Sequence, residues 1–177
     1  MTRNAALRDR TVALFVAEDY EDLEFWYPYY RMQEEGADVV VIGPSRDTFT
    51  GKHGVPVDVN LTVDDVSPDH VDGLILPGGY SPDRMRRSPD MVEFVKDIHR
   101  QRKPVAAICH AGWMLASAGV AEGTRLTSFY SIKDDLVNAG AKWVDEEVVE
   151  DGNVITSRTP ADLPAFCRAI IRSVGDQ

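Results

Sequence analysis

The most informative part of the sequence for the architecture of the chain is Pro104-Val105-Ala106-Ala107-Ile108-Cys109-His110-Ala111-Gly112. Its short apolar first half is typical of a strand that is buried on both faces of a parallel sheet. Cys109 and His110 end that run, and a helical pattern begins at Ala111 and stops before Gly119. A strand that turns directly into a helix places the Cys109 side chain at the carboxyl edge of the sheet. Open α/β folds bind their ligands at that edge.

Strand and helix patterns alternate on both sides of this stretch, which indicates an α/β domain with a mainly parallel sheet. We predict strands over residues 11–17, 38–42, 72–76 and 104–108, and helices over residues 22–35, 88–102, 111–118, 132–139 and 160–174. Residues 147–156 predict a hairpin around Asp151-Gly152, and residues 45–60 predict a second hairpin or a β-rich flap. A chain of 177 residues favours a single domain over residues 1–177, in which residues 1–10 are a polar N-terminal extension.

Composition and charge exclude several classes of partner. The net charge of −10 opposes binding to a nucleic-acid backbone or to an anionic membrane. The sequence has no secretory signal and no apolar stretch of roughly 18 residues, so we expect a cytoplasmic protein. Its two cysteines fit a reducing compartment. The histidines outside the turn share no metal-ligand spacing, so we expect neither a metal nor a cofactor.

Cys109 itself has two interpretations. The partial positive charge at a helix N-terminus favours a thiolate, and the small residues Ala111 and Gly112 let backbone N–H groups approach an oxyanion. The layout then matches a nucleophile elbow in which sulfur replaces oxygen. Alternatively, Cys109 is a small buried hydrophobic residue. Trp113 follows on the predicted helix, where it either packs in the core or forms a wall of a small site.

Two further segments follow buried strands and are expected at the same edge as Cys109. The first holds five acids within seven residues, from Glu18 to Glu24. Helix capping explains Asp19 or Asp22 and leaves an acid for another role, because a buried carboxyl beside a thiolate has a raised pKa and can donate a hydrogen bond. The second is the pair Gly78-Gly79, which either exposes backbone N–H groups to a ligand or simply makes a turn.

These residues belong to a set of blocks that together are highly specific. From residue 11 to residue 173 the chain resembles the PfpI-type intracellular proteases, a branch of the class I glutamine-amidotransferase-like superfamily. The resembling blocks are Tyr20-Glu21-Asp22-Leu23-Glu24, Tyr27-Pro28-Tyr29, Thr50-Gly51-Lys52-His53-Gly54, Leu76-Pro77-Gly78-Gly79, Ala107-Ile108-Cys109-His110, Ile132-Lys133-Asp134-Asp135, Asn138-Ala139-Gly140 and Ser157-Arg158-Thr159-Pro160-Ala161-Asp162-Leu163.

The resemblance implies a flavodoxin-like three-layer α/β sandwich with a nucleophile elbow. It also implies a set of site residues: Cys109, His110, Glu21 and Asp83 as catalytic residues, with Gly78, Gly79, Ala111 and Trp113 around the oxyanion and the substrate. Glu21 is expected to hydrogen-bond the cysteine sulfur. Asp83, from a neighbouring subunit of a homodimer or hexamer, is expected to orient His110.

Two positions depart from the pattern of the family. Familiar members have Gly-Pro after Cys-His, where this chain has Ala111-Gly112-Trp113, and they have a glutamate where Asp83 stands. The shorter side chain of Asp83 weakens the case for a complete Cys-His-acid triad.

The function implied by the resemblance is a cysteine-dependent hydrolase of the stress-response kind, which acts on peptides or on small reactive carbonyls as a peptidase or as a glyoxalase or deglycase. The Cys109 thiolate would attack a carbonyl, the N–H groups of Gly79 and His110 would stabilise the oxyanion, and Glu21 would move a proton. The alternative is a non-enzymatic redox-sensing or chaperone-like protein that uses an oxidisable Cys109.

Overall fold

A computed structural model describes residues 5–177. Its strands are β1 (Thr11–Phe15), β2 (Asp38–Ile42), β3 (Thr48–Thr50), β4 (Pro56–Asp58), β5 (Gly73–Leu76), β6 (Val105–Ile108), β7 (Arg125–Leu126), β8 (Lys142–Trp143), β9 (Val148–Asp151) and β10 (Val154–Ser157). Six of them form the central sheet in the order β2-β1-β5-β6-β10-β9. All neighbours in that sheet run parallel except β9 and β10, which form an antiparallel hairpin at one edge. The predicted α/β fold with a mainly parallel sheet is confirmed.

The helices are α1 (Asp22–Glu34), α2 (Ser81–Met85), α3 (Pro89–Arg100), α4 (Gly112–Ser117), α5 (Lys133–Asn138) and α6 (Leu163–Gly175). They cover both faces of the central sheet and so make three layers. Alternate residues of β1 point to opposite faces, as the period of a strand requires. Phe15 packs on Phe94 of α3 with a ring-centroid distance of 5.4 Å, whereas Leu14 lies in the opposite cluster with Phe25 of α1 and Phe166 of α6.

The segment between β2 and β5 forms the predicted hairpin, made by β3 and β4. This hairpin is tied to the loop that follows β1. The carboxylate of Asp22 accepts the backbone N–H groups of His53 at 2.9 Å and of Val55 at 3.1 Å. The N–H of Lys52 donates to the carbonyl of Tyr20 at 2.9 Å. The hairpin therefore brings Lys52 to the carboxyl edge of the central sheet.

Two details differ from the simple expectation. The predicted N-terminal extension is partly packed into the fold, because the Leu7 side chain is fully buried in the same cluster as Phe166; residues 1–4 lie outside the described part of the chain. The five-residue helix α2 was not predicted, since it is too short to show a helical period. Within residues 5–177, no helix combines the length and the apolar character needed to cross a membrane.

Candidate active site

Cys109 stands directly after β6 with a backbone φ of +61°, a left-handed conformation that residues with a side chain rarely adopt. A 3-10 turn over Cys109–Ala111 then leads into α4. The Cys109 carbonyl accepts the N–H of Phe129 at 3.1 Å, which helps to hold this conformation. Strained backbone of this kind persists where the surrounding structure fixes it, and it is concentrated at functional sites. The predicted elbow is therefore present, with the cysteine at its apex.

The acid that meets the sulfur is Glu24. Its side chain is fully buried beside the Cys109 thiol, and its Oε2 accepts the backbone N–H of Gly78 at 2.8 Å. Burial, together with the nearby Glu21 carboxylate, raises the pKa of Glu24 from 4.5 to about 8 against the lowering effect of the Gly78 N–H. At neutral pH Glu24 is therefore mostly a neutral carboxyl group that can donate a hydrogen bond to the sulfur.

Glu21, to which the resemblance assigned this contact, is bound elsewhere. Its Oε2 lies 2.9 Å from the Lys52 ammonium and its Oε1 lies 3.5 Å from His53 Nε2. Glu21 is the residue just before α1, whereas Glu24, three residues later, lies in the first turn of the helix and points towards the sheet. The expectation that Glu21 contacts the sulfur was wrong by those three residues, although Glu21 does line the same cavity.

The His110 side chain lies close to the Cys109 thiol, a contact that adjacency in sequence does not by itself require. Its Nδ1 lies 3.2 Å from Cys109 Sγ, and its Nε2 lies 3.2 Å from the hydroxyl of Ser131. The ring stacks on Phe129 at a centroid distance of 5.1 Å and meets Trp113 edge-on at 5.3 Å. Burial lowers the pKa of His110, and the positive charge of Lys52 lowers it further, so the imidazole is neutral at neutral pH.

The glycines after β5 direct their backbone N–H groups to the site, that of Gly78 to Glu24 and that of Gly79 to the sulfur, while their contact with a substrate stays a prediction. The backbone N–H groups of Gly79 and His110 both donate to the Cys109 sulfur. Gly79 has a φ of +71°, and a Cβ atom there would lie 2.5 Å from the carbonyl of Asp19. A Cβ atom on Gly78 would lie 2.6 Å from Glu24 Oε2 and 2.7 Å from Cys109 Cβ. The chain can approach the cysteine this closely only because both positions lack side chains.

The free chain favours the thiol form of Cys109. Burial raises the pKa of the thiol, and the charge of Glu24 raises it further, while the N–H groups of His110 and Gly79 lower it. Burial and the carboxyl group outweigh the donors, which is opposite to the direction expected from the helix N-terminus. Cys109 therefore needs a base to lose its proton, and His110 Nδ1 is the neutral nitrogen within reach.

The remaining predicted residues are Ala111, Trp113 and Asp83, and none of them lines the cavity above the sulfur. Ala111 is fully buried beneath the elbow. Trp113 donates its indole N–H to Asp135 at 2.8 Å and packs against His110, so it supports the imidazole and does not line the cavity above the sulfur. Asp83 lies on α2, is about half exposed and pairs with Arg87 one turn further on. Its approach to His110 across a subunit contact stays a prediction.

The space above the sulfur is a small cavity of about 190 Å³. Its lining residues come from six separate segments of the chain: Glu21, Glu24, Lys52, Gly79, Tyr80, Cys109, His110, Phe129 and Pro160. Phe129 also borders a second cavity of about 290 Å³ whose wall includes Trp143 and Arg158. The site therefore consists of a small chamber at the nucleophile with further space beyond one aromatic ring.

Glu21, Asp22 and His53 are close enough together that their ligand atoms lie within 4.8 Å of one another. The carboxylate of Asp22 already accepts two backbone N–H groups, and that of Glu21 is bound by Lys52. Their hydrogen bonds within the chain account for this grouping.

Sequence reasoning missed Glu24, Lys52, Phe129 and Ser131 as members of the site. A signal for Glu24 was present, because it shares one face of α1 with Phe25, Pro28 and Met32, which are all buried. An acid on the apolar stripe of a helix points towards the interior. Lys52 and Ser131 carried no such signal, since each reaches the site from a loop whose path depends on tertiary contacts.

Comparison with known proteins identifies the family of the chain. A family model described as the DJ-1/PfpI family matches residues 10–173. A deglycase of Pyrococcus abyssi is 48% identical over 161 residues, which cover 91% of this chain and 97% of that protein. The protein/nucleic acid deglycase 2 of Escherichia coli is 40% identical over 169 residues, which cover 94% of this chain and 98% of that protein.

Among solved structures, a two-domain protein of Anabaena variabilis with DJ-1/ThiJ/PfpI-like and ferritin-like domains superposes with a TM-score of 0.92 at 38% identity. The match covers 94% of this chain and 48% of that longer chain. The DJ-1beta of Drosophila melanogaster superposes with a TM-score of 0.88 at 30% identity, over 95% of this chain and 91% of the other. The shared fold, the elbow cysteine and the match over residues 10–173 together place this chain in the DJ-1/PfpI family.

Proposed function

We propose that this chain is a cysteine-dependent hydrolase that acts on small reactive carbonyls and their adducts with amines, as a deglycase does. The observation that carries the proposal is the contact of Cys109 Sγ with His110 Nδ1 at 3.2 Å, beside the neutral carboxyl of Glu24. One group can take the proton of the thiol while the other can give a proton to the substrate. The names of the relatives from Pyrococcus abyssi and Escherichia coli support the same reaction class.

The size of the cavity favours a small substrate over a folded or extended peptide. Its volume of about 190 Å³ is below the roughly 300–1,000 Å³ of pockets that hold drug-sized ligands. A dicarbonyl such as methylglyoxal needs only this chamber. The second cavity beyond Phe129 leaves room for the amine part of a larger adduct.

In the first step, the Cys109 sulfur forms a bond to the aldehyde carbon, and the carbonyl electron pair moves to oxygen. The thiol proton passes to His110 Nδ1 and then to the new alkoxide, which gives a hemithioacetal. The N–H groups of Gly79 and His110, which converge on the sulfur, are in position to stabilise the negative oxygen. The negative charge that forms on the oxygen is therefore buried with hydrogen-bond donors beside it.

In the second step, a proton leaves the carbon that carries sulfur and is delivered to the neighbouring carbonyl carbon through an enediol. Glu24 is the group placed to carry it, because a pKa of about 8 lets it exist in both forms near neutral pH. The product of this internal redox change is a thioester, which water hydrolyses to a 2-hydroxy acid and free Cys109. With an amine adduct as substrate, the amine leaves before or during formation of the carbon–sulfur bond.

The test compares two buried cysteines in one assay. We expect Cys109→Ala to lower kcat/KM for methylglyoxal by at least about a thousandfold, since the nucleophile is lost. Cys167→Ala is the matched control, because Cys167 is buried in α6 and lies outside the cavity. It should keep wild-type activity.

A fluorogenic peptide assayed in parallel separates the two substrate classes, and we expect the wild type to cleave it far more slowly than it converts methylglyoxal. A folded Cys109→Ala variant with wild-type activity on methylglyoxal would contradict the proposal. Rapid peptide cleavage without conversion of methylglyoxal would replace it with a peptidase.

A further inference from the structure

The hydroxyl of Ser131 is the polar group that the described chain places on the outer nitrogen of His110, 3.2 Å from Nε2. Ser131 lies in a 3-10 turn over Tyr130–Ile132, between the loop that carries Phe129 and helix α5. The same imidazole has its Nδ1 against the Cys109 sulfur. Cys109, His110 and Ser131 therefore form a continuous hydrogen-bonded line within one chain.

The donors around the sulfur determine which nitrogen of His110 must carry the proton. The sulfur already accepts N–H groups from Gly79 and from the backbone of His110. The proton of the thiol therefore needs an acceptor, and His110 Nδ1 provides one only if it is unprotonated. The neutral imidazole then carries its proton on Nε2 and donates it to Ser131 Oγ.

The rings around His110 fix its plane but not its tautomer. Phe129 stacks on one face at 5.1 Å and Trp113 meets the ring at 5.3 Å, and neither supplies a hydrogen-bond partner for Nε2. Trp113 donates its own indole N–H to Asp135. Aromatic packing thus leaves the choice of tautomer to the two hydrogen bonds of the ring, that of Nδ1 with Cys109 and that of Nε2 with Ser131.

We propose that Ser131 is a positioning residue that holds His110 in the Nε2–H tautomer, so that Nδ1 faces the Cys109 thiol as a base. This inference rests on the proposed function for its consequence in catalysis. It assigns to the Ser131 hydroxyl, within one chain, the role at His110 that the family resemblance gives to the Asp83 carboxylate of a neighbouring subunit. In the present chain the Asp83 carboxylate pairs with Arg87 instead.

The direct test is the tautomer of His110 in the resting protein, read from the ring nitrogen shifts of protein labelled with ¹⁵N-histidine. A His110→Gln variant identifies the signal. We expect the wild type to show the Nε2–H form, Ser131→Ala to show a more even mixture, and Ser131→Thr to restore the wild-type pattern. Ser117→Ala is the matched control, because Ser117 is an exposed serine whose hydroxyl accepts one side-chain N–H, from Arg86 at 2.9 Å.

The same variants are assayed with methylglyoxal across the pH range. Ser131→Ala should lower kcat/KM about three- to tenfold, the value of one ordinary hydrogen bond, and Ser131→Thr should recover most of it. A wild-type tautomer in Ser131→Ala overturns the inference, as does a tautomer that changes in Asp83→Asn and not in Ser131→Ala. If the wild type fails to convert methylglyoxal, the proposed function fails, whereas the tautomer measurement still decides the role of Ser131.

Discussion

Two glutamates three positions apart differ in environment although they share one short segment. Glu21 precedes α1 and pairs with the Lys52 ammonium at 2.9 Å. Glu24 lies within the first turn of α1, fully buried against Cys109 and Gly78, and burial raises its pKa to about 8. A buried acid kept neutral is the kind of group that can both donate and accept a proton near neutral pH.

The raised pKa of Glu24 makes the stability of the fold depend on pH. The folded chain holds a proton that the unfolded chain releases above about pH 4.5, so the free energy of unfolding contributed by Glu24 falls as the pH rises from about 4.5 to about 8. Glu24→Gln removes this titration. Relative to wild type, the variant should gain about 2–4 kcal/mol of unfolding free energy between pH 5 and pH 8.

Urea unfolding at pH 5, 6.5 and 8 measures that difference. Glu93→Gln, on the exposed face of α3, serves as the control and should stay parallel to the wild type across this range. A difference between Glu24→Gln and wild type that is the same at all three pH values would contradict a buried, neutral Glu24.

At the scale of elements, the site depends on how closely the turn after β5 approaches the elbow after β6. These strands are parallel neighbours, with Leu76 paired to Ala107, so their carboxyl ends emerge side by side. Gly78 then passes between Glu24 and Cys109 at distances that a Cβ atom would not permit. The approach delivers the Gly78 N–H to Glu24 and the Gly79 N–H to the sulfur.

Gly78→Ala should therefore damage both stability and activity. The new methyl group would overlap Glu24 Oε2 and Cys109 Cβ, so we expect a loss of about 1–3 kcal/mol in unfolding free energy from overpacking. Conversion of methylglyoxal should fall by at least about tenfold, because Glu24 is displaced from the sulfur. Urea unfolding and the activity assay measure the two effects.

Gly123→Ala is the control that separates the effect of steric overlap in Gly78→Ala from the effect of backbone strain. Gly123 has a φ of +73°, and no atom lies within 4 Å of a Cβ atom built there. This variant should lose about 1–2 kcal/mol through the left-handed backbone alone and keep its activity. Equal activity in the two alanine variants would show that the contacts of Gly78 do not matter for the site.

At the scale of the whole molecule, the site gathers segments from the carboxyl ends of β1, β5, β6 and β10, together with Lys52 from the β3–β4 hairpin. The five aromatic residues of α1 divide between interior and surface. Phe25 is buried and Trp26 and Tyr29 pack against its cluster, whereas Tyr27 and Tyr30 are exposed. This division follows the helical spacing of the five residues.

The assembly of the chain stays a prediction from the family resemblance. We expect sedimentation velocity at micromolar concentration to show a dimer or a hexamer, because the resemblance places Asp83 in the site of a neighbouring subunit. The half-exposed position of Asp83 on α2 is compatible with such a contact. A monomer at all concentrations at which the enzyme is active would exclude a shared site.

Sequence reasoning was most successful where a local pattern has one physical solution. The predicted strand over residues 38–42 coincides with β2 (Asp38–Ile42). The helix predicted over residues 88–102 corresponds to α3, which Ser88 caps by accepting the N–H of Met91. Both follow from apolar runs, capping residues and turns. Sequence reasoning did not predict α2. It also could not place Lys52 or Ser131 at the site, because their positions depend on segments distant in sequence.

The alternation of strands and helices and the strand-to-helix turn at Cys109 follow from the sequence alone, because each depends on the local chemistry of strand, turn and helix. Which acid meets the sulfur, and the close approach that requires glycine at residues 78 and 79, depend on tertiary contacts. The rotation of α1 turns Glu24 inward, and the hairpin supplies Lys52 to bind Glu21. Tertiary contacts also determine the partners of His110, since Ser131 reaches the ring from 21 residues further along the chain.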